Sequence, residues 1–362
     1  MLRIGMLTSG GDCQGLNSAM RGVAKGLYEG RPDVEIIGYL DGFRGLIEGD
    51  YRLMSPENFS GILTLGGTIL GTSRRPFKEI NDPADPESSF EETRFEAMIR
   101  NYKMQKLDCL VVLGGNGSHK TAHALSEAGL RVVTLPKTID NDLWGTDMTF
   151  GFQSAVSIAT DVIDGIHTTA TSHGRVFVIE LMGHKAGWLT LHAGVAGGAD
   201  VILIPEIPYS LESIKSALEK RTEEGKRFSI IAMAEGAVTQ EEAQMSRKEF
   251  KQSRKDSDFP SISYQLADKI NNDFDQEVRV TVPGHYQRGG TPIPEDRVFS
   301  TQCGAKAAKS ILAGELGVMV AMKNNQMTTI PLTEVAGKLK LVPQDSELVA
   351  QARSLGIYFG DE

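Results

Sequence analysis

Residues 109–129 read CLVVLGGNGSHKTAHALSEAG. The stretch opens with five apolar residues, continues with a Gly-rich polar loop at 114–118, and ends with a composition typical of a helix. A continuous apolar run, rather than an alternating one, is typical of a parallel strand that is buried on both faces. The stretch therefore predicts a buried strand, a loop at its carboxyl end and a helix that returns along the sheet.

The same order recurs along the chain. Short apolar runs precede polar loops at 8–15, 136–142, 182–187, 235–236 and 284–290. Strands that alternate with helices indicate βαβ crossovers, so we predict an α/β protein with two Rossmann-like, three-layer domains and mainly parallel sheets. Open α/β sheets bind ligands beyond the carboxyl ends of their strands, which makes these loops candidate sites. For any single loop, a plain βα turn that needs Gly is the alternative.

Length and charge limit the classes of function. The chain has 362 residues, 40% of them hydrophobic, which is enough for two well-filled domains. A net charge of −9 argues against nucleic acid or an anionic membrane surface as a partner. No apolar run approaches the ~20 residues of a membrane helix, and 1–11 lacks the apolar core of a secretory signal.

Cysteines and histidines give no sign of a metal centre. Cys13, Cys109 and Cys303 are too widely spaced for a metal clip or a disulfide framework, so we expect reduced thiols and a cytoplasmic protein. His119 and His123 are four apart on a predicted helix without a Glu or Cys that would complete a ligand set. We interpret both as surface residues.

Two loops have the composition of anion cradles, namely 10–12 (GGD) and 114–118 (GGNGS). Glycines let backbone N–H groups converge on phosphate oxygens, and the following helix N-terminus adds a favourable dipole. Neither loop is GxGxxG or GxxxxGK[ST]. This disfavours a dinucleotide-dependent dehydrogenase and a P-loop ATPase.

The segment TIDND at 138–142 carries two carboxylates directly after a predicted strand. One carboxylate could take a proton from an alcohol while the other contacts metal or substrate. An Asx-type turn that caps the next helix is the alternative. Lys137, directly before the segment, supplies a positive charge that a turn does not need.

Basic residues gather near predicted strand ends of this acidic chain. Arg forks suit phosphate oxygens, although a surface salt bridge is the alternative for each residue alone. The group comprises Arg74, Arg75, Arg175, His184, Lys185, Arg279, His285 and Arg288.

Taken together, these segments resemble the phosphofructokinase family. The matching stretches, in the family's order, are SGGDCQGLNSAMRG (9–22), GGTILGTSRRP (66–76), LGGNGSHKTA (113–122), PKTIDND (136–142), VIELMGHKAGWLTL (178–191), GGADVILIPE (197–206), AEG (234–236) and PGHYQRGG (283–290). The resemblance implies the phosphofructokinase fold and phosphoryl transfer to the 1-hydroxyl of fructose 6-phosphate in glycolysis.

The resemblance also implies roles for individual positions. Asp140 matches the general base, and Arg74 and Lys137 would stabilise the transferring group. Matches to the donor-phosphate site are Gly11, Arg74, Arg75, Asn116, Gly117 and Ser118. Matches to the sugar-phosphate site are Thr138, Asp142, Met182, Gly183, His184, Glu235, His285 and Arg288. Arg175 and Arg279 match a pair that reaches the 6-phosphate from a neighbouring subunit, which implies a homo-oligomer, a tetramer in short-chain members.

Three positions depart from the common bacterial pattern, and one of them, Gln14 in place of a frequent Pro, has no consequence for the assignment. Asn116 stands where many members have an Asp that holds Mg²⁺, so the expected Mg²⁺ would rest more on phosphates, on water or on Asp12. His184 stands where many members have an Arg. An imidazole cannot form that bidentate fork.

The phosphoryl donor depends on Gly117 and Lys137. Gly117 resembles ATP-dependent members, because the absence of a side chain leaves room for the nucleotide. Lys137 resembles pyrophosphate-dependent members. The two residues together resemble the mixed-substrate subgroup of the family, which contains enzymes of both kinds. We favour ATP because a flexible lysine can move aside, with a pyrophosphate-dependent enzyme and a non-catalytic sugar-phosphate sensor as alternatives.

The expected domains are discontinuous. Residues 1–150 plus 288–338 would bind the donor, and residues 151–287 plus 339–362 would bind fructose 6-phosphate. Two segments look peripheral: the acidic 79–93, read as a surface loop or short helix, and the highly charged 239–258, read as a solvated helix and loop of unassigned role.

Overall fold

The computed structural model describes residues 1–75, 77–85, 87, 92–272 and 277–362. Over these residues the strands are β1 (Leu2–Thr8), β2 (Val34–Tyr39), β3 (Tyr51–Met54), β4 (Cys109–Gly114), β5 (Val132–Thr138), β6 (Phe150–Gly151), β7 (Val176–Leu181), β8 (Val201–Leu203), β9 (Ser229–Ala234), β10 (Val278–Thr281), β11 (Val318–Lys323) and β12 (Gln326–Pro331).

The helices of the same ranges are α1 (Leu16–Gly30), α2 (Phe43–Glu48), α3 (Arg94–Met104), α4 (Asn116–Glu127), α5 (Phe152–His173), α6 (Trp188–Ala196), α7 (Leu211–Glu223), α8 (Gln240–Ala243), α9 (Arg247–Lys255), α10 (Ile262–Asn271), α11 (Pro294–Leu312), α12 (Leu332–Val335) and α13 (Glu347–Ser354). Short 3₁₀ turns cover Pro56–Phe59, Phe77–Glu79 and Gly284–Arg288.

The chain forms two compact units. Unit 1 consists of residues 1–154 and 288–340, and unit 2 consists of residues 155–287 and 341–362. Each unit therefore takes its strands and helices from segments that are distant in sequence.

The sheet of unit 1 has eight strands within the described residues. Its order is β12-β11-β5-β4-β1-β2-β3, with β6 paired to the end of β5. The pairs β2–β3 and β11–β12 are antiparallel, and the other pairs are parallel. Because β1, β4 and β5 are adjacent and parallel, the loops that follow them lie at one edge of the sheet.

The sheet of unit 2 has four strands in the part of the chain that the structure describes, in the order β10-β7-β9-β8, and its pairs are parallel. Successive residues of β7 enter different cores: Phe177 and Ile179 pack on one face, and Val176 and Val178 on the other. Apolar layers therefore cover both faces, as in a three-layer α/β domain.

Burial along the strands follows the apolar runs. Every residue of β4, β5, β7 and β9 is buried, which is the environment of a parallel strand covered by helices on both sides. The prediction of an α/β protein with mainly parallel sheets is confirmed.

The peripheral segments are short elements. Residues 86 and 88–91 of the segment 79–93 lie outside the described residues; before them, a 3₁₀ turn ends at Glu79. Residues 239–258 contain α8 and α9, and none of the described residues of these two helices is buried. None of the helices formed by the described residues has the length and apolarity needed to span a membrane.

Candidate active site

The loop after β1 turns at Gly10. This residue has a φ of 87°, a left-handed conformation that favours glycine. Its N–H donates to the carbonyl of Ser73 over 3.1 Å, and its carbonyl accepts a hydrogen bond from the Thr72 hydroxyl at 2.8 Å. The loop is thereby fastened to the segment that continues into Arg74 and Arg75, whose side chains are exposed.

Two cations meet at Gly11. Lys137, at the end of β5, is only 4% exposed, and its ammonium donates a hydrogen bond to the Gly11 carbonyl. A Cβ atom on Gly11 would lie 2.9 Å from Nη1 of Arg288. Because glycine has no Cβ, the guanidinium can approach the backbone closely. The structure thus places Arg288 in unit 1, against the loop that was predicted to hold donor phosphates.

Charges of both signs surround Lys137. Burial lowers the pKa of its ammonium, and Arg288 lowers it further, whereas Asp140 and Asp12 raise it. Burial raises the pKa of the neighbouring Cys13 thiol to about 12, so this thiol stays neutral. Two cations and two carboxylates at one sheet edge are suited to phosphates and a divalent cation.

The loop after β4 leads into the first turn of α4. A Cβ atom on Gly114 would lie 2.2 Å from Cβ of Ser118, so glycine is required where this turn packs. Nδ2 of Asn116 donates to the carbonyl of Lys338 over 2.7 Å. Gly117 is exposed, and a Cβ atom there would meet no atom within 4 Å. The first N–H groups of a helix lack intrahelical partners, which makes this turn suitable for an anion.

His119 is buried, which contradicts the interpretation of this residue as a surface histidine. It is 1% exposed, and its Nδ1 is hydrogen-bonded to the carbonyl of Gly115 at 2.8 Å. Burial lowers the pKa of His119 to about 4, so the ring is neutral at pH 7. Helix α4 starts two residues after the buried strand β4 ends, so the side of its first turn that carries His119 lies in the interior of the protein.

The turn after β5 is built on a threonine hydroxyl. The Asp140 N–H donates to Oγ1 of Thr138 over 3.1 Å, and Asn141 adopts a left-handed conformation with a φ of 50°. Asp140 is half-buried and Asp142 is 7% exposed. Both carboxylates therefore lie in the protein rather than on an open loop.

The following helix is capped by a different carboxylate. Asp296 accepts hydrogen bonds from the backbone N–H groups of Gly151 at 3.0 Å and Ser154 at 2.7 Å, at the start of α5. Capping of α5 therefore does not require Asp140 or Asp142.

In unit 2, a second loop follows β7. The Met182 N–H donates to Oε1 of the buried Gln287 over 3.0 Å, and the His184 N–H donates to Oε1 of Glu235 over 2.9 Å. Gly183 has a φ of 140°. Glu235 thus fixes the backbone that carries the His184 imidazole, and the structure brings together four of the residues predicted to bind the sugar phosphate.

Arg175 and Arg279 share one carboxylate. They lie on the adjacent strands β7 and β10 or directly beside them, and each donates a hydrogen bond to Glu277. The single negative charge of Glu277 is thus divided between two guanidinium groups. His285 is exposed in the turn after β10.

Among the described residues, no three His, Cys, Asp or Glu side chains gather into a metal-binding cluster. The sites instead combine glycine loops, buried and exposed cations, and single carboxylates. A family model of phosphofructokinases matches residues 3–311 of this sequence. The chain belongs to the phosphofructokinase family.

Similar proteins support this membership over the full length. The sequence is 56% identical to an ATP-dependent 6-phosphofructokinase of Spirochaeta thermophila over 99% of this chain and 97% of that protein. It is 46% identical to the ATP-dependent 6-phosphofructokinase 3 of Bacteroides thetaiotaomicron, with 99% and 100% covered. The phosphofructokinase of Pichia pastoris, solved in the T-state, matches with a TM-score of 0.76 and 28% identity. That match covers 98% of this chain, which spans 36% of the Pichia chain.

Two further residues stabilise loops of this protein. Glu206 lies at the end of a family motif, and Lys340 lies outside the motifs. Glu206, the last residue of the stretch GGADVILIPE, accepts hydrogen bonds from the N–H groups of Gly187 at 3.0 Å and Val342 at 2.9 Å in unit 2. Lys340 contacts the loop that carries Asp140 in unit 1. Sequence analysis missed both roles. The contact of Glu206 with Val342 joins positions 136 residues apart and that of Lys340 with Asn141 joins positions 199 residues apart.

Proposed function

We propose that this chain is an ATP-dependent 6-phosphofructokinase, which transfers the γ-phosphoryl group of ATP to the 1-hydroxyl of fructose 6-phosphate. The products are fructose 1,6-bisphosphate and ADP. The relative with 56% identity carries the name of this activity. The structural observation behind the proposal is the Lys137 ammonium, which is hydrogen-bonded to the Gly11 loop and interacts with the carboxylate of Asp140.

Asp140 is the proposed general base. As the 1-hydroxyl oxygen attacks the γ-phosphorus, the carboxylate accepts the hydroxyl proton, and the bond from that phosphorus to the β,γ-bridging oxygen breaks. General-base catalysis of this kind contributes about 10²–10⁴-fold. The Thr138 hydroxyl supports the role because it fixes the backbone of Asp140.

The charge that spreads over the phosphates requires cations and N–H donors. We assign this role to Lys137, to Arg74 and to the first turn of α4, which begins at Asn116 beside Gly117 and Ser118. Arg75 follows Arg74 on the same exposed segment. Of these groups, the Lys137 ammonium is already oriented by its hydrogen bond to Gly11.

The residues present fit a Mg²⁺ ion that is held largely by phosphates. Mg²⁺ in such sites takes one or two protein oxygens and leaves the others to phosphates and water. The half-buried Asp12 carboxylate would supply one oxygen, and the amide oxygen of Asn116, whose nitrogen is bound to the Lys338 carbonyl, would supply a second. When bound, the ion would neutralise donor phosphate charge.

The sugar phosphate is assigned to the loop after β7 and its neighbours. Backbone hydrogen bonds to Gln287 and Glu235 fix Met182 and His184 in place, which supports the assignment of this loop, with Gly183, to substrate binding. By resemblance we also assign Thr138, Asp142, His285 and Arg288 to the sugar-phosphate site, although the Arg288 guanidinium itself lies against the Gly11 loop.

Gly117 favours ATP as the donor. Because a Cβ atom there would meet no atom within 4 Å, the position is open to a nucleotide. Lys137 favours the alternative donor, pyrophosphate, since it brings a cation that ATP-dependent bacterial members commonly lack. The relatives at 56% and 46% identity carry ATP in their names.

A side-by-side steady-state assay tests the proposal. The protein is given fructose 6-phosphate with either ATP-Mg or pyrophosphate-Mg, and fructose 1,6-bisphosphate is identified by phosphorus NMR. We expect product with ATP. If product forms with pyrophosphate but not with ATP, the phosphoryl donor is pyrophosphate. If fructose 6-phosphate binds and neither donor gives product, the protein is a non-catalytic sugar-phosphate sensor.

Assembly and location follow from the same proposal. Arg175 and Arg279 pair with the same carboxylate, that of Glu277, and both are accessible to solvent, which supports their assignment to the 6-phosphate bound by a neighbouring subunit of a homotetramer. The three cysteines are free and buried, which suits a reducing, cytoplasmic location.

A further inference from the structure

The ammonium of Lys340 fills a site made of three oxygens on the loop that follows β5. Nζ donates to Oδ1 of Asn141 at 3.0 Å, to the Thr146 carbonyl at 2.9 Å and to the Asp147 carbonyl at 2.9 Å. An ammonium group has three N–H donors, and these three acceptors belong to residues at both ends of the loop. The side chain therefore joins the beginning of the loop, next to Asp140, to its far end.

The main chain at this position is paired to the same loop. The Lys340 N–H donates to the Asp142 carbonyl over 2.8 Å, and Leu143 and Leu339 form an isolated antiparallel bridge. The lysine therefore approaches the loop from a segment that is itself registered against it. The aliphatic part of the Lys340 side chain is therefore held close to the loop.

The far end of the loop is anchored to β11. The Asp147 N–H donates to the Met322 carbonyl over 2.8 Å, and the Met322 N–H donates to Oγ1 of Thr146 over 3.0 Å. Asn141, by contrast, has a left-handed backbone. Its side-chain oxygen accepts from the ammonium and its side-chain nitrogen donates over a long 3.5 Å to the Asp147 carbonyl, so the ammonium reinforces the link to the end that is anchored on the sheet.

We propose that Lys340 is a positioning residue for Asp140: its ammonium clamps Asn141 to the anchored end of the loop and thereby orients the adjacent carboxylate toward the sugar hydroxyl. The inference rests on the proposed function for its catalytic consequence, but not for the clamp itself. Small displacements of a reacting group reduce rates strongly, by up to about 10²-fold for an error of about 1 Å.

Charges around the lysine support the clamp. Burial lowers the pKa of Lys340 to about 8, and the carboxylates of Asp147 and Asp142 oppose that shift. The Lys340 side chain is a fully protonated ammonium well below this pH and loses a proton as the pH rises through about 8. The neutral amine has two donors for three acceptors, so the clamp weakens in alkaline solution.

The test compares Lys340→Met with Lys309→Met in the full-length protein. Methionine keeps an apolar stem of similar length and removes the three donors. Lys309 lies exposed on α11 of the same unit, so Lys309→Met controls for the loss of one positive charge. We expect Lys340→Met to lower kcat with ATP and fructose 6-phosphate by about 10²-fold, with KM values close to those of the unchanged protein.

Hydrogen exchange supplies a readout that does not depend on activity. Amides of residues 139–147 should exchange faster in Lys340→Met while the rest of the sheet exchanges as before, and Lys309→Met should leave both unchanged. Lys340→Arg keeps the charge but offers a planar fork instead of three donors on one atom. We expect it to recover part of kcat, and the alkaline fall in kcat near pH 8 to disappear from Lys340→Met.

The outcomes separate the clamp from the proposed function. If the unchanged protein makes no bisphosphate, the proposed function fails, and faster exchange confined to 139–147 still supports the clamp. The inference would be overturned if Lys340→Met had an unchanged kcat, if its loss of kcat/KM came from a higher KM, or if its amides exchanged faster throughout unit 1. If Lys340→Met does not fold, the same measurements on Lys340→Arg decide.

Discussion

Gly117→Asp should turn an open position next to the donor into a repulsive one. Gly117 is the second residue of α4, and the structure leaves its Cβ position free of contacts within 4 Å. Its φ is not in the left-handed region, so a side chain costs no strain. Glycine is a poor helix former, and a carboxylate in the first turn interacts favourably with the helix dipole. We therefore expect the free energy of unfolding to rise by about 0.5–1 kcal/mol.

Donor use should change in the opposite direction. A carboxylate about 4 Å from a phosphate oxygen costs about 1 kcal/mol in water-like surroundings and about 4 kcal/mol at an effective dielectric constant of 20. Since about 1.4 kcal/mol is a factor of ten, kcat/KM for ATP should fall by between about 5-fold and 10³-fold. The exposed position of Gly117 favours the lower part of this range for charge alone, and the bulk of the side chain adds to it.

Gly117→Asn is the matched control, because it has nearly the same volume without the charge. The ratio of kcat/KM between the two variants isolates repulsion, and the ratio between Gly117→Asn and the unchanged protein isolates bulk. Coupled assays at several ATP concentrations and urea unfolding give both quantities. Full activity of Gly117→Asp with ATP, or a loss of stability that explains the lost activity, would refute the reasoning.

Three further changes test separate parts of the structure. Asp140→Asn removes the proposed proton acceptor, so kcat for bisphosphate formation should fall at least about 10²-fold in a coupled assay. Gly236→Ala would place a methyl group 2.0 Å from the His184 carbonyl oxygen, so we expect a higher KM for fructose 6-phosphate. Burial lowers the pKa of His119 to about 4. The stability that depends on a neutral His119 ring is therefore fully present above about pH 6.5 and is lost as the pH falls toward 4. Urea titrations should show a loss of about 2 kcal/mol between pH 7 and pH 5, absent from His119→Gln.

Matched variants make these results specific. Near-full turnover of Asp140→Asn would remove the general base from the mechanism. Gly165→Ala, whose Cβ would meet no atom within 4 Å, should leave the KM unchanged; an equal effect there would contradict the steric argument for Gly236. An acid dependence of stability that persists undiminished in His119→Gln would contradict the role assigned to the burial of His119.

Local patterns predicted the elements of the fold but not which loops meet. The apolar run at 109–113 was enough to predict β4, since a strand buried on both faces needs little else. The hydrogen bond from Lys137 to Gly11 depends on β4 lying between β1 and β5. No spacing within either motif encodes that order.

Two errors of the sequence analysis have physical causes. His119 was placed on the surface because histidine is polar, whereas the helix turns this position inward and a bond to the Gly115 carbonyl satisfies one ring nitrogen. Lys340 was overlooked because it belongs to no motif, and its partner Asn141 is 199 residues away in sequence. Long-range polar contacts of this kind arise from tertiary packing and not from local propensity.

The pairing of β11 with β5 has a consequence for synthesis on the ribosome. β5 ends at Thr138, and the strand that covers its free edge begins at Val318, with partners such as Val133 and Val318. About 180 residues must be translated in between, which takes on the order of 10–40 s at 5–20 residues per second. During that time the nascent chain exposes an apolar strand edge of the kind that invites aggregation. Chaperone dependence during translation, and its relief in a circular permutant that places β11 and β12 before β1, would be the cellular trace of this sheet order.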